Sequence, residues 1–182
     1  HLKIGVIEPS EKHYYQPAWT LVGAGVYDIR DTERKEADYM PSKATWLKEY
    51  ANKFEPEQNK VITNEGNSYT YDYLVVCPGI QLNWDGVKGL RENIGKNGVT
   101  SNYSFNTAPY TFECIKNYKG GPAIFHNSHT PMKCGGAPHK IMYLAADYFR
   151  KHGITETNIQ YWSGGGRLFG IDKYEKTLLD VV

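Results

Sequence analysis

Residues 123–149, AIFHNSHTPMKCGGAPHKIMYLAADYF, decide the fold class of this chain. The segment starts as a short apolar run, which predicts a buried strand. Its second half is amphipathic, with residues of one helix face at i, i+3, i+4, i+7 and i+8: Ile141, Leu144, Ala145, Tyr148 and Phe149. This spacing predicts a helix with one side facing the core, ended by Gly153. A strand, a turn and a helix in this order are typical of nucleotide-binding α/β proteins.

The turn between these two elements carries Lys133 and Cys134 before two glycines, Gly135 and Gly136. A helix N-terminus presents unpaired N–H groups and the positive end of the helix dipole, which stabilise an anion. Pro138 suits the first turn of such a helix. With the charge of Lys133 nearby, the pattern predicts a nucleophilic thiolate at Cys134, and the glycines leave room for a second reactant. The alternative is an inert cysteine buried near a helix start.

Three histidines flank this cysteine, and they raise the alternative of a metal site. Zinc accepts mixed cysteine and histidine ligands. The spacing of His126, His129 and Cys134 matches no established zinc pattern, however, and we interpret these two histidines and His139 as surface residues. We therefore assign no metal ligands.

The same turn lacks the glycine pattern of a dinucleotide site. Residues 127–140, NSHTPMKCGGAPHK, contain no G-x-G-x-x-G. We therefore expect no pyridine nucleotide here and a reductant that arrives by another route, such as a small sulfur species. GAGVYD, residues 23–28, also fails as a fingerprint, because it follows no strand and has no third glycine.

Residues 2–79 predict the other half of the organisation. LKIGVIE, residues 2–8, predicts a parallel strand buried on both faces and ending at Glu8. An acid at such a position can bind a nucleotide ribose, or it can be a solvent-exposed strand end. A long loop and a short helix follow, and then an antiparallel β meander at about 44–76 that feeds a buried parallel strand, LVVC, ended by Pro78 and Gly79. The chain is thus predicted to contain parts of two Rossmann-like α/β domains, with a boundary within 80–120.

Composition excludes several functions. Lys and Arg total 21 against 20 Asp and Glu, a net charge of +1, so we expect no nucleic-acid partner and no electrostatic membrane anchor. The three cysteines are odd in number and irregularly spaced, which favours an intracellular compartment over a secreted disulfide framework.

The chain starts at His1 inside a strand pattern and ends inside a helix pattern, so we expect it to be a piece of a longer protein.

Three segments together resemble one family: VIEPSEKHYYQPAWTLVGAG (6–25), YDYLVVCPGIQL (71–82) and TPMKCGGAPHKIMYLAADYFRK (130–151). They resemble mitochondrial-type sulfide:quinone oxidoreductases, which belong to the flavoproteins with two dinucleotide-binding domains. The resemblance implies oxidation of hydrogen sulfide to sulfane sulfur, with electrons passed through FAD to ubiquinone. It also implies glutathione or sulfite as sulfur acceptor, and a mitochondrial enzyme peripherally associated with the inner membrane.

The resemblance also assigns roles to residues. Cys134 matches a redox cysteine, Glu8 the acid on the FAD ribose, and Gln16 a flavin-contacting residue. Ala51 matches a backbone contact to adenine, and Gly79 ends the strand whose turn approaches the FAD pyrophosphate. It implies a partial FAD-binding domain over 1–110, which includes the meander, and a partial second Rossmann-like domain over 111–182.

The chain departs from the family pattern at both ends. The opening G-x-G-x-x-G is expected before His1, and the partner cysteine is expected beyond Val182. We interpret Cys77 and Cys114 as structural. Two alternatives stay open, an NADH:quinone or disulfide flavoprotein oxidoreductase and a truncated, non-catalytic fragment.

Overall fold

The computed structural model describes residues 2–181, which divide into two compact units. The first unit combines the described residues up to Tyr14 with Glu33–Gly79. The second unit combines Tyr15–Thr32 with the described residues from Ile80 onward. Each unit is thus discontinuous in sequence, and the domain boundary at 110/111 stays a prediction.

The first unit opens with a parallel strand pair. Strand β1 (Ile4–Ile7) runs beside β4 (Ala44–Leu47), with Ile4 opposite Ala44, and β2 (Lys12–Tyr14) pairs antiparallel with β3 (Glu33–Lys35). The parallel strand predicted at the start of the chain is confirmed. Its predicted burial on both faces is wrong, because the β1–β4 sheet has only two strands and leaves Ile4 48% exposed.

The meander is also confirmed, over a shorter stretch. Strands β5 (Ala51–Glu55), β6 (Lys60–Thr63) and β7 (Ser68–Thr70) form an antiparallel sheet in the order β5-β6-β7. A bulge interrupts the β5–β6 register between Ala51 and Lys53. Residues 44–47, expected within the meander, pair with β1 instead. Alternation of apolar and polar residues predicts a strand but does not select its partner.

The buried strand predicted at LVVC is wrong. Residues 71–79 form no strand, and Tyr73 and Val75 are 91% and 85% exposed. The Tyr71 N–H still bonds to the Asn59 carbonyl at 2.9 Å, but no strand of residues 2–181 pairs with residues 72–79. The apolar β-branched run LVVC is therefore not part of a sheet within the described residues.

The second unit contains the five α-helices of the described chain: α1 (Trp19–Gly23), α2 (Leu90–Asn93), α3 (Ala108–Asn117), α4 (Ala137–Lys151) and α5 (Asp172–Leu179). Strands β8 (Gly121–Asn127) and β9 (Thr157–Ser163) pair in parallel, with Gly121 opposite Thr157. Helix α4 connects β8 to β9 in sequence and packs on both strands. The strand, helix and strand predicted from about Gly120 onward are confirmed.

The core of the second unit lies against α4. Ile141, Ala145 and Phe149 are buried together with Ala24 and with Ile115 of α3. Leu144 and Tyr148, the other members of the predicted stripe, are half-buried at its edge. The stripe therefore faces the core as its spacing predicts. Helix α4 ends before Gly153, whose φ of +69° suits glycine at this position.

Helix α1 packs closely on α3 and α4, and its glycines explain the GAG sequence. A Cβ on Gly23 would lie 3.2 Å from side-chain atoms of both Ile141 and Thr111. Gly25 has φ +76°, and a Cβ there would lie 2.3 Å from the ring of Phe112. These glycines thus serve helix packing, in agreement with the rejection of GAGVYD as a dinucleotide fingerprint.

A cysteine turn at the start of helix α4

Cys134 lies in the turn between β8 and α4, three residues before the helix begins at Ala137. Its side chain is exposed. Its carbonyl oxygen accepts two hydrogen bonds, one from the Ala137 N–H at 3.2 Å and one from the Tyr103 hydroxyl at 3.0 Å. The backbone of the turn is therefore held from two sides while the thiol is open to solvent.

Gln16 joins this turn from far away in the sequence. The Lys133 ammonium donates to Gln16 Oε1 at 2.6 Å across 117 residues of chain, and Gln16 Nε2 donates to the Tyr103 carbonyl at 3.5 Å. Gln16 opens a short 3-10 turn, Gln16–Ala18, that runs directly into α1. Because α1 is packed on α3 and α4, this turn holds Gln16 beside the cysteine segment.

The electrostatic surroundings of the turn are positive. Helix α4 is 15 residues long, and no side chain caps its N-terminus. Its first turn contains no acidic residue, so nothing there offsets the positive end of the helix dipole. Lys133 adds a positive charge next to Cys134 in sequence, although its ammonium is bound to Gln16. The predicted thiolate character of Cys134 stays a prediction.

Tyr103 is a member of this site that sequence reasoning missed. Its ring is half-buried, and burial raises the pKa of its hydroxyl. The hydroxyl is therefore protonated near neutral pH and donates to the Cys134 carbonyl. No pattern around residue 103 marks it, because its role depends on a contact 31 residues away.

The three histidines near the cysteine differ in their surroundings. His126 and His129 are exposed, as expected, but His139 is only 2% exposed, so its interpretation as a surface residue is wrong. Its ring stacks on Tyr161, with ring centres 4.5 Å apart, and meets Phe169 edge-on. Within residues 2–181 no three His, Cys, Asp or Glu side chains are grouped to hold a metal ion.

Glu8, Ala51 and Gly79 lie in the first unit, whereas Gln16 and Cys134 belong to the second. Glu8 follows β1, is half-buried, and accepts a hydrogen bond from the Ser10 N–H at 2.7 Å. Ala51 begins β5 and is exposed. Gly79 is exposed with φ +74°, and no atom lies within 4 Å of the position of a Cβ. Of the predicted site residues, the structure brings together Gln16 and the Cys134 turn.

The other two cysteines are Cys77 and Cys114. Cys77 is exposed and lies in the first unit. Cys114 lies on α3 of the second unit and is half-buried, and burial raises the pKa of its thiol. Their assignment as structural residues stays a prediction.

No family model matches the chain. The mitochondrial sulfide:quinone oxidoreductase of Dictyostelium discoideum is 52% identical over 177 residues, which cover 96% of this chain and 39% of that protein. The mitochondrial sulfide:quinone oxidoreductase of Mus musculus is 38% identical over 180 residues, which cover 98% of this chain and 40% of that protein. This chain thus spans about two fifths of the length of these relatives.

A solved structure shares the fold. The X-ray structure of the sulfide:quinone oxidoreductase from Aquifex aeolicus superposes with a TM-score of 0.75 at 23% identity, covering 99% of this chain and 42% of that one. At this identity the likeness concerns the fold alone. It agrees with the α/β architecture predicted from the sequence.

Proposed function

Since the chain is homologous to about two fifths of the mitochondrial sulfide:quinone oxidoreductases, we propose that it carries a redox cysteine and part of the flavin site of such an enzyme. The proposed reaction is oxidation of hydrogen sulfide to sulfane sulfur, with electrons passed through FAD to ubiquinone. The observation that carries this proposal is the cluster of Gln16, Lys133 and the Cys134 turn. A residue expected at the flavin thereby lies beside the thiol expected to take the sulfur.

The residues assigned to FAD fit such a group. In the proposal Glu8 binds the ribose, the Ala51 backbone meets adenine, and Gly79 approaches the pyrophosphate. The open space at Gly79 permits close approach of a phosphate, and Glu8 and Ala51 are both accessible to a ligand. Gln16 contacts the flavin. When bound, FAD would supply the transfer of an electron pair from sulfur to quinone.

The cysteine turn is suited to binding and releasing small sulfur species. The Cys134 thiol is exposed. A Cβ on Gly136 would meet nothing within 4 Å, and one on Gly135 would meet only the Phe169 ring at 3.8 Å. Space beside the sulfur therefore admits sulfide and then an acceptor such as glutathione or sulfite. The N-terminus of α4 stabilises negative charge on sulfur during both events.

The proposal extends to location and organisation. Named relatives are mitochondrial, and we place this protein in the mitochondrion, associated peripherally with the inner membrane. Within residues 2–181 no helix has the length and apolar character needed to cross a bilayer. We assign residues 1–110 to a partial FAD-binding domain and 111–182 to a partial second Rossmann-like domain.

The test uses the full-length protein. We expect it to purify with a flavin absorption spectrum and to reduce a ubiquinone analogue when sulfide is added. Cys134→Ser should abolish sulfide-driven reduction while the flavin stays bound. Cys77→Ser, at an exposed cysteine of the first unit, is the matched control and should keep its activity.

Three results would contradict the proposal. Full sulfide-driven activity in Cys134→Ser would exclude this cysteine from the reaction. Bleaching of the flavin by NADH, with no response to sulfide, would favour the NADH-dependent class of flavoprotein instead. A flavin-free full-length protein would favour a non-catalytic role.

A further inference from the structure

A group of buried polar atoms lies under the cysteine turn. None of these atoms has a partner with hydrogen-bond geometry: Asn127 Oδ1, His139 Nδ1 and Nε2, Tyr143 Oη and Tyr161 Oη. The Asn127 side chain nevertheless lies close enough to the Tyr161 hydroxyl to oppose the effect of burial on its pKa. We call these four residues the polar cluster. His139 is the most buried of them, with its ring against that of Tyr161. Buried polar side-chain atoms in proteins are bonded in the large majority of cases, so this concentration requires an explanation.

The polar cluster continues the core of the second unit toward the cysteine. Residues two apart in a strand share a face, so Asn127 lies on the same side of β8 as Phe125, which is opposite Tyr161 of β9. Phe125 packs on the apolar core beside α4. The side of the sheet that faces α4 therefore changes from apolar to polar toward the carboxyl ends of β8 and β9. In open α/β sheets this end is where ligands bind.

His139 is directed from the helix toward the cysteine turn. Side chains of α-helices lean toward the helix N-terminus, and His139 is the third residue of α4. The carbonyls of Gly135, next to Cys134, and of Leu168 lie near its ring and oppose the effect of burial, although neither has hydrogen-bond geometry. Burial is the larger effect and lowers the pKa of His139, so the imidazole is neutral near neutral pH and has one ring nitrogen without a proton.

Water is the ligand that best fits the polar cluster. Its members offer both donors and acceptors, and buried water in proteins bridges polar groups of this kind. Tyr161 lies near Asn127, and Tyr143 and Tyr103 lie near Tyr161. Tyr103 in turn donates to the Cys134 carbonyl. The polar side chains thus form a continuous group from the cluster to the cysteine turn.

We propose that ordered water in the polar cluster connects the imidazole of His139 to Cys134, and that His139 accepts the proton of the Cys134 thiol. In this step the S–H bond breaks, its electron pair stays on sulfur, and an N–H bond forms on the imidazole. The products are a thiolate and an imidazolium, and the Gly135 and Leu168 carbonyls stabilise the cation. This inference rests on Cys134 being the reactive thiol of the proposed function.

The described residues beside His139 offer no competing proton acceptor near neutral pH. Tyr143 and Tyr161 have pKa values raised by burial, and they stay protonated there. Among the charged groups of the adjoining segments, Lys133 is bound to Gln16, and Glu175 is bound to Arg167 and to the N–H groups of residues 168 and 169. Lys140, next to His139 in sequence, is exposed to solvent.

The experiment measures alkylation of Cys134 by iodoacetamide in the full-length protein, quantified by mass spectrometry of the Cys134 peptide as pH varies. We expect the natural protein to react faster than His139→Gln below neutral pH and with a shallower pH dependence, because His139 takes up the thiol proton. In His139→Gln the rate should fall by about tenfold for each pH unit below neutrality, as for a thiol ionised by solvent alone. His129→Gln, at an exposed histidine nearby, is the control and should react like the natural protein.

Tyr161→Phe provides a second variant that keeps the aromatic stack on His139. If water bonds to the Tyr161 hydroxyl in the natural protein, Tyr161→Phe should lower the thermal midpoint of unfolding. It should also move the alkylation profile part of the way toward that of His139→Gln. If the hydroxyl is unbonded, its removal should raise the midpoint. A higher midpoint, or profiles of both variants that superimpose on that of the natural protein, would overturn the inference. If His139→Gln fails to fold, an unchanged alkylation profile in Tyr161→Phe would by itself overturn the inference.

Alkylation requires neither sulfide nor turnover, so its outcome is separate from the test of the proposed function. A protein without sulfide-driven activity that still shows the expected profiles would contradict the proposed function and leave the proton transfer supported. Suppose instead that Cys134→Ser loses activity and that the alkylation profiles of His139→Gln and Tyr161→Phe are unchanged. This result would support the proposed function and overturn the proton transfer.

Discussion

Replacing Gly25 by alanine is expected to destabilise the second unit strongly, because two costs coincide at this position. Gly25 has φ +76°, and an alanine in this left-handed region costs about 1–2 kcal/mol. Its Cβ would also lie 2.3 Å from the ring of Phe112, and such overpacking costs about 1–3 kcal/mol. We therefore expect the free energy of unfolding to fall by about 2–5 kcal/mol.

Urea denaturation followed by circular dichroism measures this effect, because all five α-helices of the described chain lie in the second unit. Gly153→Ala is the matched control: its φ is +69° and no atom lies within 4 Å of the added Cβ. This variant should show only the backbone cost of about 1–2 kcal/mol. Phe112→Leu should relieve part of the cost in a double variant with Gly25→Ala. Equal losses in Gly25→Ala and Gly153→Ala would refute the packing argument.

Thr32→Val should destabilise the second unit by about 1–3 kcal/mol in the same urea assay, because it removes the bond that the buried Thr32 hydroxyl accepts from Trp19 Nε1 at 3.0 Å. Glu55→Gln should change the response of the first unit to acid. Lys53 and Lys60 hold the pKa of Glu55 at about 2 against an ordinary value of 4.5, so its contribution to stability is present above pH 4.5 and is lost as pH falls toward 2. Urea midpoints measured from about pH 5 down to about pH 3 should therefore fall less in Glu55→Gln than in the natural protein.

A specific result would contradict each of these two predictions. For Thr32, Thr32→Ser is the control, since it keeps the hydroxyl and reports the loss of the methyl group separately. A valine variant as stable as the natural protein would show that the bonds of the Thr32 hydroxyl to Trp19 and Ile29 do not stabilise the second unit. For Glu55, parallel pH dependence in the natural protein and the glutamine variant would mean that the two lysines do not stabilise the carboxylate in solution.

Sequence reasoning succeeded where the information is local. The apolar spacing from Ile141 to Phe149 predicted the buried face of α4, because helix periodicity depends only on residues three and four apart. It failed for LVVC and for the burial of β1, because apolar content indicates a need for burial without specifying the partner that covers the strand. His139 shows the same limit, since histidine occurs both at surfaces and in cores.

Local sequence was enough to predict the strand, the cysteine turn and the helix of the second unit, because strand pattern, turn glycines and helix period all act over a few residues. The family resemblance named Gln16 and Cys134 without relating them in space. Packing alone brings Gln16 to Lys133 across 117 residues and buries His139. The first contact requires α1 to pack on α3 and α4, and glycine at residues 23 and 25 permits that close approach. The burial of His139 depends instead on Tyr161 of β9 and on Phe169, which are distant in sequence.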